Sequence, residues 1–284
     1  MDIQWYPGHM AKARRMIGEN MKLVDAVCEV VDARIPNSSR NPDFDELLRG
    51  KARLLILNRV DQADPTATKK WSSAFRSNGT HVLETDSRSG RGVGGLSDAV
   101  SSLLSDKIAR YAAKNQAGRQ LRAMVVGIPN VGKSSFINRA ANRKAAATSD
   151  RPGVTRGKQW ICIDSKLELL DTPGVLWPKL ADRDAAENLA FTGAIKDETL
   201  DADALGERLM QKLWELYPGN VAARYGITES AASDGYGLLL AAAKNRGFLI
   251  HGGEYDVGRM AIILLDEFRA GKLGRITLEN CGDV

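Results

Sequence analysis

The stretch Gly127-Ile-Pro-Asn-Val-Gly132-Lys133-Ser134 constrains this chain more than any other, because it has the form G-x-x-x-x-G-K-S. Glycines at both ends let backbone N–H groups curl around a polyphosphate, and a helix starting near Lys133 would aim its positive end at that charge. Lys133 would reach the β- and γ-phosphates and the Ser134 hydroxyl would take a place on Mg²⁺, with Val131, Gly132 and Ser135 completing the cradle. An apolar run at 121–126 precedes the loop and a helical pattern at 135–143 follows it, which is the setting such a loop requires.

A second motif lies further on. Asp171-Thr-Pro-Gly174 sits at the end of an apolar run, where Asp171 could hold a Mg²⁺-bound water and the Gly174 N–H could meet a γ-phosphate. By itself D-T-P-G is only a good turn sequence. Thr155, in the loop at 151–156 between the two motifs, is placed to complete the Mg²⁺ shell, and such loops order and release with hydrolysis.

The base is read elsewhere. Asn58-Arg59-Val60-Asp61 follows a short apolar strand and has the N-[KR]-x-D form. The Asp61 carboxylate can accept from the N1–H and 2-amino group of guanine, a donor pair that adenine lacks. Arg59 stands where Lys is usual, and its planar cation can still cover the ring face. After a third strand, Asp86-Ser87 would back the guanine O6 through backbone N–H groups.

The order of these motifs is unusual. The base-reading pair comes first and the phosphate loop second, joined by a helical segment at 94–120. The same sheet can be built either way, because old chain ends can be linked and new ones opened at the surface. The expected fold is α/β: a circularly permuted P-loop GTPase domain, with a mainly parallel sheet and helices on both faces, over residues 1–178. Strand signals stop there. Residues 179–284 are expected to form an all-helical domain, with an apolar face at 205, 209, 213 and 216 and another over 257–268, capped by Asp256 and stopped by Gly271. A single helix is expected over 93–116.

Composition excludes several classes. With 43% hydrophobic and 26% charged residues the chain can bury a core, so disorder is not expected. Its apolar runs are far shorter than the roughly 18–20 residues of a membrane span, and no secretory leader is visible. Three scattered cysteines suggest neither a disulfide framework nor a zinc site. The chain is expected in the cytoplasm as a monomer. Its net charge of +5 is unevenly spread: residues 107–160 carry 12 Lys or Arg against one acidic residue, Asp150. A polyanion partner and a solvated basic face both account for that. Arg110, Lys114, Arg119, Arg122, Arg139, Arg143 and Lys144 are the cations left over once Lys133 is assigned to phosphate.

With these residues in place, the chain resembles the circularly permuted GTPases, and within them the ribosome biogenesis GTPase A family. The matching stretches are Trp5-Tyr-Pro-Gly-His-Met10, the run from Asp32-Ala-Arg-Ile-Pro to Pro42, the permuted nucleotide motifs and Phe268-Arg-Ala-Gly-Lys-Leu-Gly-Arg275. The resemblance implies a GTPase that acts late in assembly of the large ribosomal subunit, contacts rRNA and is stimulated by the particle. It also implies that His9 replaces the water-orienting Gln, since Val175 stands after D-T-P-G and an apolar side chain cannot polarise water. Without the resemblance His9 reads as a surface residue. Asn130 either helps hold a K⁺ ion, as in GTPases that resemble this one, or only stabilises its loop. Against the switch stand a P-loop ATPase, a tRNA-modification GTPase, which lacks the permuted order, and an RNA-binding scaffold with vestigial turnover.

Overall fold

The computed structural model describes residues 8–116, 118–141, 160–178, 182–195, 200–227 and 234–282. Its strands are β1 (Ala26–Asp32), β2 (Ala52–Asn58), β3 (His81–Glu84), β4 (Leu121–Val126), β5 (Trp160–Cys162) and β6 (Leu167–Asp171). They form one sheet in the order β3-β2-β1-β4-β6-β5, parallel throughout except for β5, which pairs antiparallel with β6 at the edge.

Alternation of side chains across each strand divides the core. Ala26, Cys28 and Val30 of β1 share one cluster with Ala123 and Val125 of β4, whereas Val27 shares another with Met124 and Val126. Because both faces are covered, every residue of β1 is buried, and the strand is apolar apart from Glu29 and Asp32. Helices α1 (Gly8–Asn20), α2 (Asp43–Leu47) and α3 (Pro65–Ser77) cover one face, contributing Ala13, Ile17, Phe44, Trp71 and Phe75. Helices α4 (Leu96–Leu103) and α6 (Lys133–Ala140) cover the other, through Leu96, Val100, Phe136 and Ile137.

The expected helix over 93–116 is broken. A 3₁₀ turn at Val93–Gly95 leads into α4, and the backbone leaves the helix at Leu104 (φ −107°, ψ 20°) before α5 (Ser105–Ala113). Helix α5 buries none of its residues, and Ile108 is 37% exposed. From α5, Tyr111 still packs against the core cluster, half-buried.

Among the described residues, five helices follow β6: α7 (Arg183–Phe191), α8 (Ala202–Leu216), α9 (Pro218–Tyr225), α10 (Gly235–Asn245) and α11 (Val257–Arg269). Leu209 and Leu213 of α8, Leu238 of α10 and Leu264 of α11 are fully buried and belong to the same apolar cluster as α4 and α6. Asp182, Asp201, Asp234 and Asp256 begin four of these helices, each accepting a first-turn backbone N–H, as does Asp64 for α3. Gly271, at φ 74°, ends α11. Beyond it the chain does not stay with the helices. The Ile276 N–H donates to the Gln62 carbonyl at 2.8 Å and the Leu278 N–H to the Arg34 carbonyl at 2.8 Å, so the tail returns to the sheet domain.

Candidate functional site

Asn58, Asp86, Gly127 and Asp171 all lie at or just beyond the carboxyl ends of parallel strands, where open α/β sheets place their ligands. The phosphate loop follows β4 and opens α6. Unlike the aspartate-capped helices, α6 has Gly132 at its N-cap and no side-chain cap, and its first capping bond runs from the Phe136 N–H to the Gly132 carbonyl at 2.8 Å. The N–H groups of Lys133, Ser134 and Ser135 are therefore left for a ligand. Gly132 sits at φ 93°, and a Cβ there would come 2.5 Å from Asn58 Nδ2. Gly174 brings its loop equally close, since a Cβ would lie 2.8 Å from the Pro129 nitrogen and 3.0 Å from Lys133 Nζ.

Lys133 is 8% exposed, and its ammonium donates to the Ile128 carbonyl at 2.7 Å. Burial pulls its pKa down to about 8, against the opposing pull of the Asp171 carboxylate. Burial likewise raises the carboxyl of Asp171, with the Thr172 backbone and the Lys133 charge working the other way. A buried cation satisfied only by neutral carbonyl oxygen and a nearby carboxylate fits a polyphosphate, which would restore the lost solvation. The Ser134 hydroxyl and Asp171 carboxylate are hard oxygen donors suited to Mg²⁺.

At the other end of the site, Asn58 acts as a latch. Its Nδ2 donates to the Val131 carbonyl at 2.9 Å, while its Oδ1 accepts from Ser87 Oγ at 2.7 Å and Thr85 Oγ1 at 3.2 Å. One buried side chain thus ties the phosphate loop to both base-reading loops. Arg59, at φ 64°, donates to the Asn130 carbonyl at 2.7 Å and lies 3.6 Å from Asp32. Asp61 Oδ1 is buried and has no hydrogen-bond partner. An orphaned carboxylate oxygen is costly, and the N1–H and 2-amino donors of guanine are the groups that would satisfy it.

Asp86 serves its own turn: its carboxylate accepts from the Arg88 and Ser89 N–H groups and the Ser89 hydroxyl, and its N–H donates to the Arg91 carbonyl at 2.9 Å. Of the expected pair, only the Ser87 N–H remains open for guanine O6. Arg139 also differs from expectation. It donates to the Ser87 carbonyl at 3.2 Å and to the Arg88 carbonyl, bracing this turn instead of standing free. Asn130, at φ 60°, directs its Nδ2 to the Gly193 carbonyl just after α7.

Val175 is 1% exposed. It packs with Ala13, Ile17, Val126 and Leu170, and its backbone is held by Gly127 and Asn41. Its side chain is thus in the core and has no route to a bound phosphate. His9 lies in the first turn of α1, with its side chain outside the described residues, as are Thr155, Arg143 and Lys144. The roles of Thr85, Asn41 and Arg34 emerge only in the folded chain. Arg34 makes a bidentate pair with Asp32, at 3.0 and 2.8 Å, and reaches the Phe268 carbonyl at 3.2 Å. The run beginning at Asp32 was visible as a motif, but only the fold shows what it holds.

This permuted sheet, with a phosphate cradle at one end and an orphaned carboxylate at the other, defines a circularly permuted P-loop GTPase. The family model described as 50S ribosome-binding GTPase matches residues 122–205. A ribosome biogenesis GTPase A from Priestia megaterium is 45% identical over 281 residues, covering 99% of this chain and 97% of that protein. Its counterpart from Thermotoga maritima is 32% identical, with 99% and 96% covered. The crystal structure of GNP-bound YlqF from T. maritima superposes with a TM-score of 0.66 at 29% identity, over 96% of this chain and all of that one. The chain belongs to the ribosome biogenesis GTPase A family.

Proposed function

We propose that this GTPase is a Mg²⁺-dependent switch that binds the precursor of the large ribosomal subunit and promotes its late assembly in the cytoplasm, acting as a monomer. The observation that carries the nucleotide half of this reading is the desolvated Lys133 ammonium at one end of the site and the orphaned Asp61 oxygen at the other. Ser134, Thr155 and, through water, Asp171 would hold the ion, which would supply positive charge to offset the negative charge of the polyphosphate. Lys133 stabilises the charge that develops as the γ-phosphate leaves. Asn130 retains its Oδ1 for a K⁺ ion, although its Nδ2 is engaged.

Burial of Val175 means that the attacking water must be oriented from elsewhere. His9 is assigned that role. Ala13 and Ile17, one and two turns further along α1, share the apolar cluster of Val175, which supports the placement of this helix beside the D-T-P-G segment. The particle would bring the final alignment, so hydrolysis is slow in its absence.

The ribosomal half rests on the relatives' names and on a basic face at the other end of the sheet. There Lys51, Lys107, Arg110 and Lys114 line a hollow of about 480 Å³ together with Asp25, Asp106 and Tyr111. Burial and then the Lys107 charge lower the pKa of Lys51, while Asp25, which pairs with Lys107 at 2.6 Å, pulls the other way. Arg119 stacks on Tyr111 and Arg122 on Trp160, so these two are partly engaged. Arg110 and Lys114 are exposed and are the stronger candidates for rRNA phosphate contact.

A second reading, an RNA-binding scaffold with very slow turnover, is favoured by the burial of Val175. Sedimentation with purified large subunits in GDP and in a non-hydrolysable GTP analogue, paired with turnover of wild type and His9→Ala, separates the two. Attachment that depends on the nucleotide and turnover stimulated by the particle support the switch. Nucleotide-independent attachment without stimulation supports the scaffold.

A further inference from the structure

The segment after α11 carries the sequence Gly271-Lys-Leu-Gly-Arg275, which the nucleotide site does not use directly. Gly274, at φ 96°, turns it back toward the sheet, and a Cβ there would lie 2.5 Å from Asn220 Nδ2, whose own bond holds the Leu273 carbonyl at 2.8 Å. The tail is then anchored by Leu273, Ile276 and Leu278, each 3% exposed or less. Thr277 accepts from the Asp64 N–H at 3.1 Å and donates to the Ala33 carbonyl at 3.2 Å.

Between these anchors stands Arg275. Its Nε donates to the Ala63 carbonyl at 3.0 Å and a terminal nitrogen to the Val60 carbonyl at 2.7 Å, while the neighbouring Ile276 N–H takes the Gln62 carbonyl at 2.8 Å. Three consecutive tail-to-loop bonds therefore grip residues 60, 62 and 63, on both sides of Asp61. From the other direction, Asp32 pairs with both Arg59 and Arg34, and Arg34 donates to the last carbonyls of α11, those of Phe268 and Arg269. Among the described residues, the bonds that fix this loop from the C-terminal side originate where the helices end and the tail begins.

We propose that Arg275 is a positioning residue for guanine recognition: by bridging the Val60 and Ala63 carbonyls from the tail, it aims the Asp61 carboxylate and links guanine affinity to docking of the C-terminal region. A planar guanidinium can span two carbonyls, which an ammonium on a flexible stem does less well. Linkage makes the coupling reciprocal: guanine binding holds the tail down, and anything that lifts the tail loosens guanine. Such a path runs through the base and is present with GDP as well as GTP, unlike movements driven by the γ-phosphate.

The inference rests on the assignment of Asp61 as the base reader, so both are tested together. Affinities for GDP and for IDP, which lacks the 2-amino group, are measured for the full-length wild type, Arg275→Ala, Arg275→Lys and Asp61→Asn. Arg275→Ala is expected to weaken GDP about tenfold and to narrow the GDP-to-IDP ratio, with Arg275→Lys intermediate. A merely structural role would lower the melting temperature but leave that ratio intact, and this outcome overturns the proposal. Hydrogen exchange adds a readout that needs no variant: GDP should slow exchange of the Ile276 and Leu278 amides in wild type. Unchanged protection there also overturns it. If Asp61→Asn binds GDP like wild type, the base-reading assignment itself fails. If Asp61→Asn loses GDP while Arg275→Ala keeps the wild-type ratio, only the role of Arg275 fails.

Discussion

Replacing Asn58 with alanine tests the latch between the two halves of the site. Asn58 is 1% exposed and makes three hydrogen bonds, with Val131, Ser87 and Thr85. A buried hydrogen bond contributes about 1 kcal/mol net, and more is lost when partners are left unsatisfied, so Asn58→Ala should cost about 3 kcal/mol. For a chain of this size that corresponds to a fall in melting temperature of roughly 6–10 °C without nucleotide. Thermal melts with and without saturating GDP provide the assay. The nucleotide-induced rise should also shrink, because the phosphate loop and the base-reading loops are no longer held in register. Ser87→Ala should cost less, about 1 kcal/mol, and the double variant should fall short of the sum, since both remove the same 2.7 Å bond. Asn58→Asp keeps an acceptor for the two hydroxyls but faces the Val131 carbonyl with oxygen, so it should be at least as damaging as alanine. If Asn58→Ala melts within about 1 °C of wild type, the latch does not contribute as argued.

Four further outcomes follow from the same geometry. Lys133 is depressed to about 8 and phosphate stabilises its charged form, so GDP binding takes up a proton: affinity should be flat to about pH 7 and fall toward tenfold per unit above about 8, by fluorescence titration. Glu267 would be raised by burial, but hydrogen bonds from Arg224 and Tyr225 and the Arg246 charge bring its pKa to about 2, so it stabilises the fold above about pH 4.5, and that contribution is lost as pH falls toward 2. With partly exposed arginines this amounts to about 2 kcal/mol; the gap between wild type and Glu267→Gln in urea melts at pH 7 should be more than half closed by pH 3. Val175→Gln would bury an amide in the core cluster, so it should destabilise by about 1–3 kcal/mol and leave single-turnover hydrolysis no faster. Arg110→Glu with Lys114→Glu should weaken binding to an rRNA fragment and flatten its salt dependence while sparing GDP affinity, as measured by filter binding across a salt series.

Much of this architecture could be read from the chain. The runs at 54–57 and, apart from Arg122, at 121–126 are apolar on both faces because both faces are covered, and the phosphate loop and D-T-P-G fall at strand ends as their chemistry requires. What escaped was long-range. Helix α1, with a polar average and no strong apolar face, is held by contacts of Met10, Ala13 and Ile17 that only the assembled sheet provides. The expected helix over 93–116 breaks at Leu104, and beyond the break α5 buries none of its residues. Asn58 reads as a base contact in any N-R-x-D motif, whereas its three partners come from sequence positions 27 to 73 residues away. Arg275 looks like one more surface cation until the tail is seen to cross the loop around Asp61.

The claim on which the rest depends is that the buried, unpartnered oxygen of Asp61 reads guanine. Direct competition between guanine and xanthine nucleotides for the Asp61→Asn variant tests it. Asparagine presents a donor beside its acceptor, which complements the extra carbonyl of xanthine and opposes the 2-amino group of guanine. The account expects GDP affinity to fall by at least a hundredfold and xanthosine diphosphate to become the preferred ligand. Undiminished GDP binding, with no gain for the xanthine nucleotide, would contradict it.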